Sequence, residues 1–402
     1  MTATRTLLRQ RGSHDASRVA MVELFFDLVF VFAVTQLSHT LLEHLSPAGA
    51  LQTLLLFLAV WWLWIYTSWV TNWLDPDKAP VRLMLFALML GGLVLSASLP
   101  HAFEAQGLLF GAMFAAMQVG RTAFMVWATR GAGRAALRIN FVRIGVWLLV
   151  SAAFWIGGGL CDDGARLGWW TVALAIEYVG PVLLFRVPGL GASTTTDWDV
   201  DGSHLAERCA LFVIIALGES ILVTGATSAN LPVTAETLTA FVVAFMGSVA
   251  MWWVYFDTGA ERAARRITQS DDPGRVARIA YTYLHLPIIA GIIVCAVADE
   301  LVLTHPGHAE ASAIAVILGG PALYLLGNAL FKWVTNDRPI PPLSHCAGLA
   351  LLSALAPVAI GGGWSALALG TATTAILVGV AGWESLALRR GNTIRTPEPH
   401  ES

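Results

Sequence analysis

Twelve stretches of the chain are almost wholly apolar, at about 22–42, 51–73, 81–99, 107–128, 141–160, 168–186, 204–226, 236–256, 278–298, 311–331, 345–361 and 365–388, with short polar breaks between them. A helix that crosses a bilayer needs roughly 20 mainly apolar residues. Within lipid the backbone satisfies its own hydrogen bonds only as a helix or a closed barrel, and runs this long and continuous point to helices. The expected fold class is all-α: a polytopic membrane helix bundle of about 12 transmembrane helices.

The clearest polar break covers 187–203, where Pro188, Gly189, Gly191 and Asp197, Asp199 and Asp201 gather. Such turn-rich composition reads as a linker, and it divides the runs six and six. The expected organisation is a first half at 1–186 with a short cytoplasmic N-terminus, a cytoplasmic linker at 187–203, a second half at 204–390 and a cytoplasmic tail at 391–402. The halves echo each other. Glu23 opens the first run and Glu207 the seventh, Trp64-Ile65-Tyr66 parallels Trp253-Val254-Tyr255, and Arg82 and Arg278 open the third and ninth. An even number of crossings per half fits parallel repeats about an axis along the membrane normal.

Composition agrees with a lipid environment. The 402 residues are 56% apolar and 13% charged, where soluble domains carry roughly 25% charged residues. A net charge of -3 argues against a nucleic-acid partner, and sixteen tryptophans suit membrane interfaces. Cys161, Cys209, Cys295 and Cys346 form no C-x-x-C pair, so neither a disulfide framework nor a zinc site is expected. The arginine-bearing stretch before the first run lacks the cleavage site of a secretory signal peptide, so that run is expected to remain as a helix.

Orientation follows from lysine and arginine, which collect in cytoplasmic loops. The side with both termini carries Arg5, Arg9, Arg11, Arg18, Lys78, Arg82, Arg130, Arg134, Arg138, Arg262, Arg265, Arg266, Arg275, Lys332, Arg338, Arg389, Arg390 and Arg395; the opposite loops hold only Arg166. Both termini are therefore expected on the cytoplasmic side of the membrane.

Charge inside the runs is the chemical signal, because an ionised side chain at the bilayer centre costs about 2.5 to 3.5 kcal/mol on insertion scales. Glu23 and Asp27 are i and i+4 and share one helix face. Gln36 and His39 form a second polar pair near the outer end of the same run. In the seventh run His204, Glu207 and Arg208 stand at the threshold, and Glu219, followed by Ser220, lies about 18 Å deeper. The functional reading is a carboxylate path for protons or a small cation; the alternative is acidic residues stabilising a helix N-terminus, with Arg208 snorkelling to the interface. Arg121 in the fourth run is the expected counter-ion for Asp27 or Glu219, as gate or as structural glue. Glu177, His285 and Asn328 are further polar residues within runs.

Pro181, Pro287, Pro321 and Pro357 interrupt later runs, and Gly319-Gly320-Pro321 is the sharpest breaker, either an unwound segment beside a substrate or an ordinary kink. Asp197-x-Asp199-x-Asp201-Gly202 imitates the start of a calcium loop, but Arg208 stands where a bidentate Glu is needed. His305 and His308, near Asp299, Glu300 and Glu310, read as solvated residues of an outer loop rather than a metal site. Sequence handles for ATP hydrolysis, acyl transfer and zinc proteolysis are absent, so enzymatic activity has no motif behind it, and no cofactor is expected.

Two long motifs carry a family resemblance. Val22-Glu-Leu-Phe-Phe-Asp-Leu-Val-Phe-Val-Phe-Ala-Val-Thr-Gln-Leu-Ser-His39 resembles the opening signature of the low temperature requirement A (LtrA) family, and His204-Leu-Ala-Glu-Arg-Cys-Ala-Leu-Phe-Val-Ile-Ile-Ala-Leu-Gly-Glu-Ser-Ile221 resembles its second. Cys209-Ala210 depart from the aromatic or polar residue and glycine of that pattern. The resemblance implies a multi-pass protein of the bacterial cytoplasmic (inner) membrane without a settled activity. Phe25-Phe26-Asp27 is also similar to the F-S-D motif of lysosomal-type potassium channels, with Phe26 in place of the serine. The leading expectation is movement of protons, a small cation or a solute by intramembrane carboxylates. The alternatives are a membrane scaffold or cold-stress factor, and an intramembrane enzyme acting on lipid.

Overall fold

The computed structural model describes residues 6–9, 18–131, 133–194, 200–257, 273–335 and 339–393, the side chains of 163, 273 and 388–393 excepted. Asp197, Asp199, Arg5, Arg11, Arg262, Arg265, Arg266, Arg338, Arg395 and most of the C-terminal tail lie outside the described residues, as do the side chains of Arg389 and Arg390. The described residues contain twelve long helices: α1 (Met21–Glu43), α2 (Pro47–Trp73), α3 (Ala79–Ser98), α4 (Gly107–Ala128), α5 (Ala135–Leu160), α6 (Asp163–Val179), α7 (Gly202–Ala229), α8 (Ala235–Phe256), α9 (His285–Thr304), α10 (Ala311–Thr335), α11 (Leu343–Gly362) and α12 (Ala366–Thr393). Eleven are long and apolar enough to cross a membrane. The exception is α6, with 17 residues. The chain is a polytopic membrane helix bundle.

Local chemistry sets several ends. Ser46 caps α2 by accepting from the Gly49 N–H at 3.1 Å, with Pro47 in the first turn where its missing N–H costs nothing. Thr234 caps α8 through the Thr237 N–H. Two runs differ from the sequence reading at their ends. Helix α6 stops at Val179 instead of continuing to 186, because Pro181 cannot extend it; the chain then turns through Leu184 and Phe185 at φ of 53° and 47°. The ninth crossing begins earlier and ends later, with a short helix Pro273–Ala277 and a π-helical turn Arg278–Tyr283 leading into α9, which continues through Asp299 and Glu300 to Thr304. Helix α10 runs unbroken across Gly319-Gly320-Pro321.

The helices form two compact units, residues 1–215 with 264–282, and 216–263 with 283–402. In the first, α2 packs against α1, α4 and α6 and is buried on nearly every face: Trp61, Trp62, Leu63, Trp64, Ile65, Thr67 and Ser68 are at most 1% exposed. Tryptophan is thus core material here, and three of the α2 indoles donate to buried acceptors: Trp61 to the Thr282 carbonyl at 2.8 Å, Trp64 to Asp27 and Trp69 to Thr282 Oγ1. In the second unit α9 packs along α10, and α8 along α12. A Cβ on Gly291 would come within 2.5 Å of the Tyr324 nitrogen, and one on Gly320 within 2.8 Å of the Cys295 nitrogen. Small residues let these helices approach closely. Large apolar side chains such as Leu83, Leu90 and Leu160 of the first unit, and Leu222, Leu351 and Ile360 of the second, are exposed, as expected of lipid-facing surfaces.

Candidate functional site

The site in the first unit begins with the buried face of α1. Glu23, Phe26, Asp27, Phe30, Val34 and Leu37 follow one helical stripe and are at most 2% exposed, while Phe25 and Leu28 point outward. The i, i+4 spacing therefore does bring both carboxylates to one side. They face the first turns of α7, where His204 and Arg208 are likewise i, i+4 and buried. Glu23 Oε1 meets His204 Nε2 at 3.0 Å, and Arg208 Nη2 donates to Asp27 Oδ1 at 2.8 Å.

Glu23 is heavily committed. Its Oε2 accepts from Arg9 Nη2 and from the Ala20 N–H, both at 2.8 Å, the second satisfying the N-cap amide of α1, where Ala20 has no side chain to return the bond. Arg9 also donates through Nε to the Thr71 and Leu74 carbonyls, and an isolated bridge joins Leu8 to Leu74. Asn72 exchanges hydrogen bonds with the Asp201 backbone and contacts His204 Nδ1 at 3.3 Å. Arg9, expected among solvated cytoplasmic charges, is instead a strut between the N-terminal segment, α1 and the end of α2.

Asp27 has a different environment. Its Oδ1 accepts from Trp64 Nε1 and Arg208 Nη2, each at 2.8 Å. Arg208 also reaches Ser68 Oγ, and lies over the Trp64 ring at 5.5 Å and the Phe26 ring at 6.0 Å. Both side chains are at most 1% exposed. Asp27 Oδ2 and Arg208 Nη1 are buried with no hydrogen-bond partner. Arg208 is therefore not a snorkelling interfacial residue.

Arg121, the expected counter-ion, is buried elsewhere. It donates to the Leu63 carbonyl at 3.1 Å, to Thr67 Oγ1 at 3.0 Å and to Gln118 Oε1. Gln118 in turn donates to Glu177 Oε2 at 2.6 Å, and Glu177 Oε1 accepts from Ser151 at 2.6 Å and Trp155 at 3.1 Å. This second polar cluster ties α2, α4, α5 and α6 together. Arg166 is not a loop cation either, since its guanidinium binds the carbonyls of Ala102, Glu104 and Cys161.

The remaining sequence candidates scatter. Gln36 is half-buried and His39 exposed, about 14 and 18 Å along α1 from Asp27, so neither reaches its carboxylate. Glu207 is exposed and accepts from the Val19 N–H at 3.3 Å. Glu219 is buried in the second unit, where its neighbour Ser220 donates to Asp299 Oδ2 at 3.0 Å and contacts Ser248 Oγ at 2.9 Å. Asp299, placed in an outer loop by the sequence reading, is part of α9. Lys332, counted among loop charges, is buried near the end of α10 and pairs with Glu384 at 2.6 Å. Tyr255 Oη meets His285 Nε2 at 2.8 Å.

A matched spacing was the available signal for the first site. The acids at 23 and 27 and the bases at 204 and 208 have the same interval, which is what two packed helices need to pair twice. Asp299 carried a weaker signal, a charge at the edge of an apolar run.

Comparison with known proteins bears on the whole of this chain. The family model described as "Bacterial low temperature requirement A protein (LtrA)" matches residues 18–382. Uncharacterized protein RA0937 of Rhizobium meliloti (strain 1021) is 43% identical over 394 residues, which cover 97% of this chain and 94% of that protein. No solved structure matches.

Proposed function

The chain belongs to the bacterial low temperature requirement A (LtrA) family, and on that premise we propose that it moves protons across the bacterial cytoplasmic membrane through a site built on Asp27 and Arg208. The lopsided distribution of lysine and arginine in the sequence supports cytoplasmic termini.

One observation carries this reading: within a buried ion pair, Asp27 Oδ2 and Arg208 Nη1 have no hydrogen-bond partner. Buried polar atoms are ordinarily satisfied, and exceptions call for an explanation. An open acceptor and an open donor on one pair are the two contacts a neutral bridging water makes, donating to the carboxylate and accepting from the guanidinium, and such a water can pass a proton to Oδ2 when it is itself resupplied. A proton taken up on Oδ2 neutralises Asp27 and removes the attraction that holds Arg208. Loss of the proton restores the pair, giving the two states that a relay requires. Arg208 keeps its charge throughout, which disfavours a metal cation at this carboxylate and leaves the proton as the species handled. Trp64 and Ser68 fix the two groups in place. Glu23, with its oxygens occupied by Arg9, His204 and the Ala20 N–H, anchors the N-terminal segment.

The test is proton flux into liposomes carrying an internal pH-sensitive dye. Wild-type protein should dissipate an imposed pH gradient, and Asp27→Asn should slow it at least about tenfold, the loss expected of a proton-transfer group. An Asp27→Asn protein that elutes as a folded, monodisperse species and retains full flux sinks the proposal. The density of bonds around Glu23 favours a second reading, a non-transporting scaffold, in which these substitutions lower stability and no flux is present to change.

A further inference from the structure

In the second unit, α8, α9, α10 and α12 line a partly open cavity of about 30 Å³, with Gly247, Asp299, Pro321, Thr373 and Thr374 among its lining residues. Asp299 is the acid among its lining residues. Its Oδ2 accepts the Ser220 hydroxyl at 3.0 Å, and Ser220 Oγ lies 2.9 Å from Ser248 Oγ. Ser220 has a single hydroxyl proton. With that proton given to Asp299, Ser248 must be the donor to Ser220, so both hydroxyl protons are aligned toward the carboxylate.

Among the described residues no cationic side chain forms an ion pair with Asp299. The nearest contrast is Lys332 in the same unit, whose ammonium is taken by Glu384 and by the Val254 carbonyl. Asp299 is half-buried on α9 and faces this cavity, and an ionised carboxylate on an apolar helix without a countercharge is costly. Something of positive charge must accompany it or neutralise it. The geometry favours a hard monovalent ion: a single negative charge, the Thr373 and Thr374 hydroxyls of α12 lining the same small cavity, and Ser220 and Ser248 orienting the carboxylate from behind. Thr373 spends its hydroxyl proton on the Gly370 carbonyl at 3.0 Å, which leaves its oxygen lone pairs available. Calcium and magnesium sites draw on more carboxylate charge, and among the described residues no three His, Cys, Asp or Glu side chains group as a metal site.

We propose that Asp299, with Ser220, Ser248, Thr373 and Thr374, forms a binding site for a monovalent alkali cation. The site is independent of the Asp27 reading. It stands on a different carboxylate in a different unit, and its test is equilibrium binding rather than flux.

The experiment titrates sodium chloride against full-length protein in detergent, with choline chloride holding ionic strength constant, and follows thermal unfolding together with binding of radioactive sodium. Wild type should show a saturable rise in melting temperature and saturable binding. Asp299→Asn should lose both, Ser248→Ala should weaken the affinity about tenfold, as expected for one lost polar contact, and Asp27→Asn should bind as wild type does. A wild type with no saturable response to sodium or potassium overturns the proposal, as does an Asp299→Asn protein that binds normally. Melting that responds through Asp299 to pH but not to alkali ions overturns it in favour of a proton site. Should Asp299→Asn fail to fold, Ser248→Ala and Thr374→Val decide the matter, and unchanged affinity in both overturns it.

Discussion

Arg208 Nη2 donates to Asp27 Oδ1 at 2.8 Å across 181 residues of sequence, and His204 meets Glu23 across the same 181 residues. Equal separations mean that α1 and the first turns of α7 run parallel here, with two acids in register with two bases. The two rungs differ in character. Glu23 has bonded partners on both oxygens, whereas Asp27 and Arg208 each keep one buried polar atom open. That difference is the ground for proposing an anchoring role for the first rung and proton chemistry for the second.

Removing one member of the Asp27–Arg208 pair strands the other charge inside the protein, which typically costs about 3 to 5 kcal/mol. Arg208→Gln should therefore melt well below wild type. Combined with Asp27→Asn it should recover much of the loss, because two neutral amides can bond each other. Thermal unfolding of both single variants and the double in one detergent measures this, and strictly additive losses would show that the two residues do not act as a pair.

Glu23 holds the N-terminal segment through Arg9. Glu23→Gln and Arg9→Ala should each loosen residues 6–9 from the end of α2 while leaving the helices intact. Limited proteolysis should then cut near the N-terminus several-fold faster than in wild type, with unchanged fragments from the rest of the chain. Equal cleavage rates would mean that this strut contributes nothing.

Glu177 accepts from Ser151, Trp155 and Gln118, all donors, and Gln118 cannot turn its amide because its oxygen is held by Arg121. Glu177→Gln places an N–H2 against at least one of these donors. The expected loss is about 1 to 3 kcal/mol, against about 1 kcal/mol for Ser151→Ala, which removes a single hydrogen bond. The ranking of the two melting temperatures tests the assignment.

Gly319 and Gly320 are neighbours with opposite surroundings. A Cβ on Gly319 meets nothing within 4 Å, whereas one on Gly320 would lie 2.8 Å from the Cys295 nitrogen and Sγ. Gly319→Ala should be neutral or slightly stabilising through helix propensity. Gly320→Ala should destabilise by about 1 to 3 kcal/mol, because α9 must shift to admit the methyl group. Similar melting temperatures for the two would remove the close approach as the reason for Gly320.

The helices were legible because bilayer thickness imposes a length of apolar sequence that few other demands produce, and both family motifs lie within those lengths. The shared face of Glu23 and Asp27 was legible too, since helical periodicity alone places i and i+4 together. The partners were not. Leu63 of the core and Leu83 of the outer surface have the same side chain but are 0% and 66% exposed. In lipid, apolar residues cover both the inside and the outside of the bundle, which weakens the pattern that would mark the packing face. Arg121 was therefore the expected counter-ion for Asp27 until packing brought Arg208 against it and sent Arg121 to Gln118. Asp299 fails for a related reason. Hydropathy ends a run at its first charges, but Ser220 and the space around Thr373 and Thr374 accommodate this carboxylate within α9. The order of helices along the chain follows from local sequence and the thickness of the membrane, while the pairing of charges depends on contacts between residues far apart in sequence, which only packing brings together.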